Sequence, residues 1–191
     1  EQTIDPLGQA SSVAYDAAGN ISSVSDAQGA IASFAYDGAG RETAVTDALG
    51  NVARVSYDAA GNVLAQTDAL GRTTAYAYDA AGNVASVTDA AGGVSSYAYD
   101  ATGNLIAETN ALGSTTSYTY DGVGAVTSTT DPIGRTTRYV YDSAGNAAEE
   151  VRPDGESQRF AYDAAGRMVS ITDFAGAQTS LELDWRGNVV R

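Results

Sequence analysis

Short segments of alternating side chains fill the sequence, and an Asp-x-x-Gly signal closes most of them. Residues 79–82 read Asp-Ala-Ala-Gly, and the same four letters return ten residues later at 89–92. Segments between these signals do not exceed about seven residues, which is strand length and too short for a typical helix. Frequent Thr, Val, Tyr and Ser favour strands, and regularly spaced glycines oppose helices. The pattern therefore predicts an all-β chain.

The turn signal has a physical basis in its first and fourth residues. Asp accepts a hydrogen bond from the backbone two residues on, and Gly takes the left-handed conformation that closes a type I turn with a bulge. Connections this short join antiparallel neighbours, so the sequence predicts a repetitive meander of β-hairpins. In the series that follows the tyrosines, the predicted structural turn residues are Asp16, Gly19, Asp37, Gly40, Asp58, Gly61, Asp79, Gly82, Asp100, Gly103, Asp121, Gly124, Asp142, Gly145, Asp163 and Gly166.

The whole pattern recurs every 21 residues, which indicates a repeat architecture. Each repeat contains one Tyr-Asp pair and two turn signals, hence two strands, and the ninth pair is the degenerate Leu183-Asp184. Residues 5–8 (Asp-Pro-Leu-Gly) match residues 131–134 (Asp-Pro-Ile-Gly), so the sequence begins in mid-unit. We expect residues 1–191 to form one continuous array of about nine repeats and to be a fragment of a longer protein.

The predicted sheet is much wider than its strands are long. Neighbouring strands lie about 4.8 Å apart, so nine two-stranded repeats advance the sheet by roughly 86 Å, against ~20 Å for one strand. Open twisted sheets rarely exceed about ten strands without curling. We therefore expect a curved or coiled sheet that forms part of a shell or solenoid.

Aromatic residues alternate within the strand that ends each repeat, which places them on one face of the sheet. Apolar residues also follow the tyrosine turns, with a second, less regular one three residues later, as at Val84 and Val87. Cross-strand packing is one interpretation of the aromatic face, and a platform for stacking sugars is the other. The candidate ligand-facing aromatic residues are Tyr76, Tyr78, Tyr97, Tyr99, Tyr118 and Tyr120.

Composition narrows the function classes. The net charge of -14 opposes binding to nucleic acid or anionic lipid, and no apolar run is long enough to predict membrane insertion. The sequence has no Cys, and without His or Lys its Ser and Thr residues lack the usual base to activate them, so we predict no enzyme activity and no cofactor. Successive turns on one edge lie ~9.6 Å apart, whereas two oxygens on one calcium ion are at most about 5 Å apart. We therefore predict no metal site.

A known repeat matches this unit. Residues 78–99 read Tyr-Asp-Ala-Ala-Gly-Asn, a short strand, Thr-Asp-Ala-Ala-Gly and a second strand that returns to Tyr, which resembles the YD repeat of the bacterial Rhs family. In that family, long arrays wind into a hollow β shell around a C-terminal toxin, and related arrays form the cocoon of Tc toxins and part of the teneurin shell. The likeness extends over the whole chain. The departures are Asn110, Ala125, Arg152 and Leu183, which replace residues of the repeat pattern.

The resemblance implies a non-catalytic structural segment of a large secreted or surface bacterial protein, part of a shell that encapsulates a toxin. Its expected partners are the remainder of its own chain and an enclosed cargo. The alternative is a cell-surface adhesin or filament-forming repeat protein that binds glycans or other chains, with self-association through open sheet edges. A core region and toxin domain in the full-length gene would favour the shell, and a surface anchor without cargo would favour the adhesin.

Overall fold

Strands of three to eight residues account for all the regular secondary structure in the computed structural model, which describes residues 2–4, 6 and 10–190. Within those residues there is no helix that could cross a membrane. The strands are β1 (Gln2–Ile4), β2 (Ala10–Tyr15), β3 (Ile21–Asp26), β4 (Gly29–Tyr36), β5 (Glu42–Asp47), β6 (Val52–Tyr57), β7 (Val63–Thr67), β8 (Thr73–Tyr78), β9 (Val84–Thr88), β10 (Val94–Tyr99), β11 (Leu105–Thr109), β12 (Thr115–Tyr120), β13 (Val126–Thr130), β14 (Thr136–Tyr141), β15 (Ala147–Val151), β16 (Ser157–Tyr162), β17 (Met168–Thr172) and β18 (Gln178–Ser180).

The eighteen described strands pair in an antiparallel manner. The chain divides into two contact units, Glu1–Ser95 and Ser96–Arg191. In the first unit β1 to β9 pair successively in chain order. In the second unit β10 to β18 do the same. The prediction of an all-β hairpin meander with two strands per repeat is confirmed.

The described hairpins close with the same backbone geometry except for β3–β4, where Asp26 lies directly opposite Gly29 and Gly29 has a φ of 131°. In the turn after Tyr78, the Gly82 N–H donates to the Asp79 carbonyl at 3.1 Å, and the Asp79 N–H donates to the Asn83 carbonyl at 2.9 Å. Gly82 has a φ of 89°, in the left-handed region that side chains with a Cβ disfavour. This is a type I turn followed by a glycine bulge, a hairpin connection compatible with the right-handed twist of the strands. The degenerate ninth unit retains it, since Gly187 N–H donates to the Asp184 carbonyl at 2.9 Å.

A β-bulge follows each turn that comes after a tyrosine, and its extra residue lies in the strand that leaves the turn. Ala77 lies opposite Ser86, but Tyr78 lies opposite Val84, so Ala85 is an extra residue in β9. The same register shift occurs between β10 and β11 and between β12 and β13. Because the bulge adds one residue, Val84 and Val87 face the same side of the sheet although they are three positions apart.

No described residue is buried, either apolar or polar. In each unit the described strands therefore form a layer that presents both faces to solvent, whereas an ordinary domain buries one face of each sheet against a second layer. Stability in such a layer comes from contacts between strands and between successive repeats.

Candidate functional site

The two faces of the sheet differ in chemistry. In β10 the side chains of Tyr97 and Tyr99 are half-buried, whereas Ser96 and Ala98 are exposed on the other side. We call the side with the aromatic residues the tyrosine face. The opposite side is the small-residue face. All six predicted ligand-facing residues lie on the tyrosine face, in β8, β10 and β12.

The tyrosines next to the turns bind the preceding repeat through their hydroxyl groups. Tyr120 Oη donates to the Leu105 carbonyl at 2.6 Å, and Tyr78 Oη donates to the Val63 carbonyl at 2.9 Å. This bond recurs from Tyr36 to Ile21, from Tyr57 to Glu42 and from Tyr141 to Val126. The tyrosine of one repeat therefore holds the bulge of the repeat before it, which supports a structural role for Tyr78 and Tyr120.

A second row of tyrosines, two residues before those next to the turns, consists of Tyr76, Tyr97, Tyr118 and Tyr139, and the last three lie beside carboxylates. Tyr97 is directly opposite Glu108, and Tyr139 is directly opposite Glu150. Tyr118 Oη donates to Glu108 Oε1 at 2.7 Å. This hydrogen bond, with burial and the negative charge of Glu108, raises the pKa of Tyr118 to about 12. The phenol is therefore neutral at any physiological pH and acts as a hydrogen-bond donor.

Charges on the strands segregate between the faces. In the second unit, Glu108 and Glu150 lie on the tyrosine face, whereas Arg138 and Arg159 alternate with aromatic residues and lie on the small-residue face. Glu149 also lies on the small-residue face, where Arg159 pairs with it at 2.8 Å. The first unit has the same arrangement, with Glu42 opposite Tyr36 on the tyrosine face and Arg54 on the other side. Apart from the turn residues, the described strands place only negative charge on the tyrosine face.

The turn carboxylates are engaged within their own turns. Asp100 Oδ1 accepts the N–H groups of Thr102 and Asn104 at 2.8 and 2.9 Å, and Asp100 Oδ2 accepts the Asn104 side-chain amide at 2.9 Å. These bonds stabilise the ionised form and lower the pKa of Asp100. In the eight turns whose Asp and Gly were predicted as structural, the Gly N–H donates to the Asp carbonyl.

Two departures from the repeat change these contacts. Ala125 has no side-chain donor, so Asp121 accepts only backbone bonds, from Val123 and Ala125. Asn110 replaces an aspartate and still accepts two backbone N–H groups. Among the residues that the structure describes, no three His, Cys, Asp or Glu side chains are grouped to hold a metal ion.

Arginine in place of the turn asparagine adds a contact between repeats. Arg41 Nε pairs with Asp37 Oδ2 at 2.8 Å, and Arg41 Nη1 donates to the Asp58 carbonyl in the next repeat at 3.1 Å. The guanidinium also lies 4.7 Å from the centroid of the Tyr57 ring. The sequence shows the Asn/Arg alternation at this position, but only the structure relates it to the neighbouring turn.

Large apolar side chains project from the tips of the second hairpins, a feature that the sequence analysis missed. Leu49 is 87% exposed, Leu70 79% and Leu112 90%. The same position holds Ala91 in another repeat, so the turn itself does not require leucine. The signal was visible as repeated Ala-Leu-Gly triplets in the sequence.

Shallow concavities recur at one position of the repeat. A concavity of 660 Å³ lies beside Tyr76 and Tyr78, and an equivalent one of 490 Å³ lies beside Tyr118 and Tyr120, two repeats later. Each is lined by the turn residues on either side of its strand pair. Their recurrence indicates a property of the repeat and not a single active site.

The repeat itself identifies the family. The RHS repeat matches residues 15–52, 57–94, 99–132, 120–157 and 141–178, which together make up most of the chain. The chain belongs to the RHS repeat family. The matched unit is a structural repeat of Rhs-like proteins, in agreement with the Tyr-Asp pattern and the hairpin geometry.

Solved structures of Tc toxins contain the same fold. The chain is similar to a structure of TcdB2-TccC3, with a TM-score of 0.65 and 20% identity over 95% of this chain. It is similar to a TcdB2-TccC3-Cdc42 structure with a TM-score of 0.62 and 20% identity over 95% of this chain. A Photorhabdus luminescens Tc holotoxin pore also matches, with a TM-score of 0.62 and 20% identity over 94% of this chain.

The chain spans only 11% of the matched TcdB2-TccC3 chain, and 12% of the matched chain in each of the other two structures. The likeness is therefore one of fold, and it is consistent with a segment of a larger chain. Among curated proteins, no relative matches.

Proposed function

We propose that this chain is a wall segment of a large bacterial Rhs-like protein, secreted or held at the cell surface, and that the wall encloses a C-terminal toxin. Residues 1–191 act as one continuous array within that protein, and the curvature expected from the width of the sheet closes it around the cargo. The mechanism is containment. The wall separates an interior from solvent and proteases, and its residues carry out no chemistry.

The observation that carries this proposal is the single layer of strands in which no described residue is buried. A sheet built this way gains its order from its neighbours and leaves a face free to border an enclosed volume. The turn aspartates are hydrogen-bonded within their own turns, and the concavities are shallow and repeated. Both features favour a structural wall and argue against a catalytic site.

Protease protection of the full-length protein tests containment. We expect the C-terminal region to survive a broad-specificity protease that degrades the same region when it is expressed alone. The double substitution Gly103→Val and Gly145→Val strains two turns, with φ values of 88° and 85°, and should expose the cargo to cleavage. Gly122→Ala is the control, because Gly122 has no positive φ and open space around its Cβ position. Equal degradation of enclosed and isolated cargo would refute containment.

A second candidate function is an adhesin or filament, and the exposed leucines at the hairpin tips favour it. Leu70 and Leu112 are 79% and 90% exposed, and large apolar side chains at such positions suit contact with another chain. Glycan binding that disappears in a Tyr97→Ala and Tyr99→Ala variant with intact circular dichroism would support the adhesin. Assembly measured by light scattering and abolished by Leu112→Ser would support the filament.

A further inference from the structure

The tyrosine face is an uncovered surface with an unusual combination of groups. Its aromatic rings are half-exposed, and no second layer covers them in the described part of the chain. In the second unit, Tyr97 and Tyr139 each lie directly opposite a glutamate, at a distance of about 5 Å between Cβ atoms for such pairs. Each pair therefore presents a ring and a carboxylate to the same incoming group.

Apart from the turn residues, the charges that the described strands place on this face have one sign. Glu108 and Glu150 lie on the tyrosine face, and the arginines carried by β14 and β16 lie on the other side. The fold does not impose this arrangement, because strand positions alternate between faces and arginine is tolerated at exposed sites on either one. Segregation of charge on an uncovered face is typical of a surface with a partner of opposite charge.

We infer that the tyrosine face is the surface against which the enclosed cargo lies, and that the cargo segment in contact with it is a polypeptide rich in Lys and Arg. This inference rests on the proposed containment function. It also specifies which face of the sheet contacts the cargo and the chemical class of the cargo segment. A cationic side chain contacts a tyrosine ring and pairs with the glutamate opposite it.

The protein already contains one such contact. The Arg41 guanidinium lies 4.7 Å from the centroid of the Tyr57 ring while it pairs with Asp37 at 2.8 Å. Tyr57 is one of the tyrosines next to the turns and does not belong to the second row, but it lies on the same tyrosine face. A ring of this face and a nearby carboxylate thus accept a cation within the chain. An acidic segment would be repelled by Glu108 and Glu150, and a neutral oligosaccharide gains nothing from their charge.

Binding of synthetic peptides to the 191-residue chain tests the inference. The probes are a disordered lysine-rich peptide and the same peptide with every lysine replaced by glutamate, followed by fluorescence anisotropy. We expect the lysine-rich peptide to bind, added salt to weaken its binding, and the glutamate version not to bind. Glu150→Gln should weaken binding of the lysine-rich peptide by up to about fivefold, and Glu108→Gln with Glu150→Gln by roughly the product of the single effects.

Glu149→Gln is the matched control, since Glu149 neighbours Glu150 in β15, carries the same charge and lies on the opposite face. It should leave binding unchanged. Equal weakening by Glu149→Gln and Glu150→Gln would indicate attraction to the net charge alone and would overturn the inference.

Photo-crosslinking locates the bound peptide independently of affinity. A photoreactive phenylalanine analogue at Tyr139 should capture the lysine-rich peptide, and the same analogue at Val140, 48% exposed on the other face, should not. Capture at Val140 alone, binding of neither peptide, or binding of a neutral oligosaccharide in preference to the lysine-rich peptide overturns the inference. Those outcomes leave containment intact, because protease protection of the full-length protein measures containment without reference to face or charge.

Discussion

A glycine with a positive φ closes the described hairpins, and the turn at residues 121–124 contains one such glycine and one glycine with an ordinary φ. Gly124 has a φ of 87°, and a Cβ there would meet only the Asn104 side chain at an ordinary 3.7 Å. Gly124→Ala should therefore destabilise the fold through backbone strain alone, by about 1–2 kcal/mol. Urea unfolding followed by circular dichroism measures the change.

Gly122→Ala, in the same turn, is the control for that strain. Gly122 has an ordinary φ and nothing within 4 Å of its Cβ position. The substitution should be neutral or stabilise the fold by about 0.4–1 kcal/mol, because alanine restricts the unfolded chain. If both variants lose the same stability, the left-handed conformation of Gly124 is not what the turn depends on.

The tyrosine hydroxyls next to the turns are a second feature at the residue scale. Tyr120→Phe removes the 2.6 Å bond to the Leu105 carbonyl and keeps the ring. We expect a loss of about 0.5–1.5 kcal/mol in the free energy of unfolding, measured in urea. Tyr97→Phe is the comparison, because the structure gives its hydroxyl no protein partner among the described residues, and it should cost nothing measurable. A larger loss of stability for Tyr97→Phe than for Tyr120→Phe would contradict the structural role of the tyrosines next to the turns.

At the element scale, apolar side chains at the two ends of a strand pair contribute differently to the stability of the fold. Leu105 begins β11 half-buried opposite Tyr99, whereas Leu112 projects from the next turn and is 90% exposed. Leu105→Ala should cost about 1 kcal/mol, roughly half the value of a fully buried leucine. Leu112→Ala should change stability by less than about 0.5 kcal/mol. Thermal unfolding of both variants measures this contrast, and a destabilising Leu112→Ala would place that side chain in a contact within the sheet.

The hairpins could be predicted from sequence because their cause is local. Asp79 and Gly82 meet the needs of one turn within four residues, so the letters alone predict strand, turn and pairing direction. The bulge at Ala85 was harder, because it is defined by pairing with β8. Its signal was the three-residue spacing of Val84 and Val87, which strict alternation would place on opposite faces.

The distribution of charge between the two faces could not be predicted without the register of the whole strand pair. Glu149 and Glu150 are adjacent letters, and only their partners across the sheet assign one to Arg159 and the other to Tyr139. The bond from Arg41 to the Asp58 carbonyl joins two repeats, so no pattern within one unit contains it. Contacts within a turn were therefore accessible to sequence reasoning, and contacts between repeats were not.

At the scale of the whole molecule, no buried core stabilises the described residues, so we expect stability to depend on the many equivalent carboxylates of the turns. Each turn aspartate whose pKa is lowered binds its proton less readily in the folded state than in the unfolded state, where its pKa is about 3.9. Its contribution is therefore present above that value and is lost as the pH falls through the folded pKa. Eleven described aspartates have a lowered pKa: Asp16, Asp37, Asp47, Asp58, Asp68, Asp79, Asp100, Asp131, Asp142, Asp163 and Asp184.

Repulsion among the negative charges acts in the opposite direction, since acid neutralises a net charge of -14. Turns on one edge lie ~9.6 Å apart, which exceeds the Debye length of about 8 Å at physiological salt, so this repulsion is largely screened. The hydrogen bonds within each turn are short and are screened much less. Loss of these bonds should therefore prevail, and acid should destabilise the fold.

We expect the urea midpoint to be nearly constant between about pH 5 and 8, since the sequence has no histidine, and to fall steadily below about pH 4. Changing Asp79, Asp100 and Asp142 to Asn should make the urea midpoint fall less steeply below about pH 4. The amide oxygen still accepts the backbone hydrogen bonds but does not titrate. Asn110 already does so, accepting the Leu112 and Ser114 N–H groups at 2.9 and 3.0 Å. A midpoint that rises on acidification would mean that charge repulsion, and not turn bonding, controls the stability of the sheet.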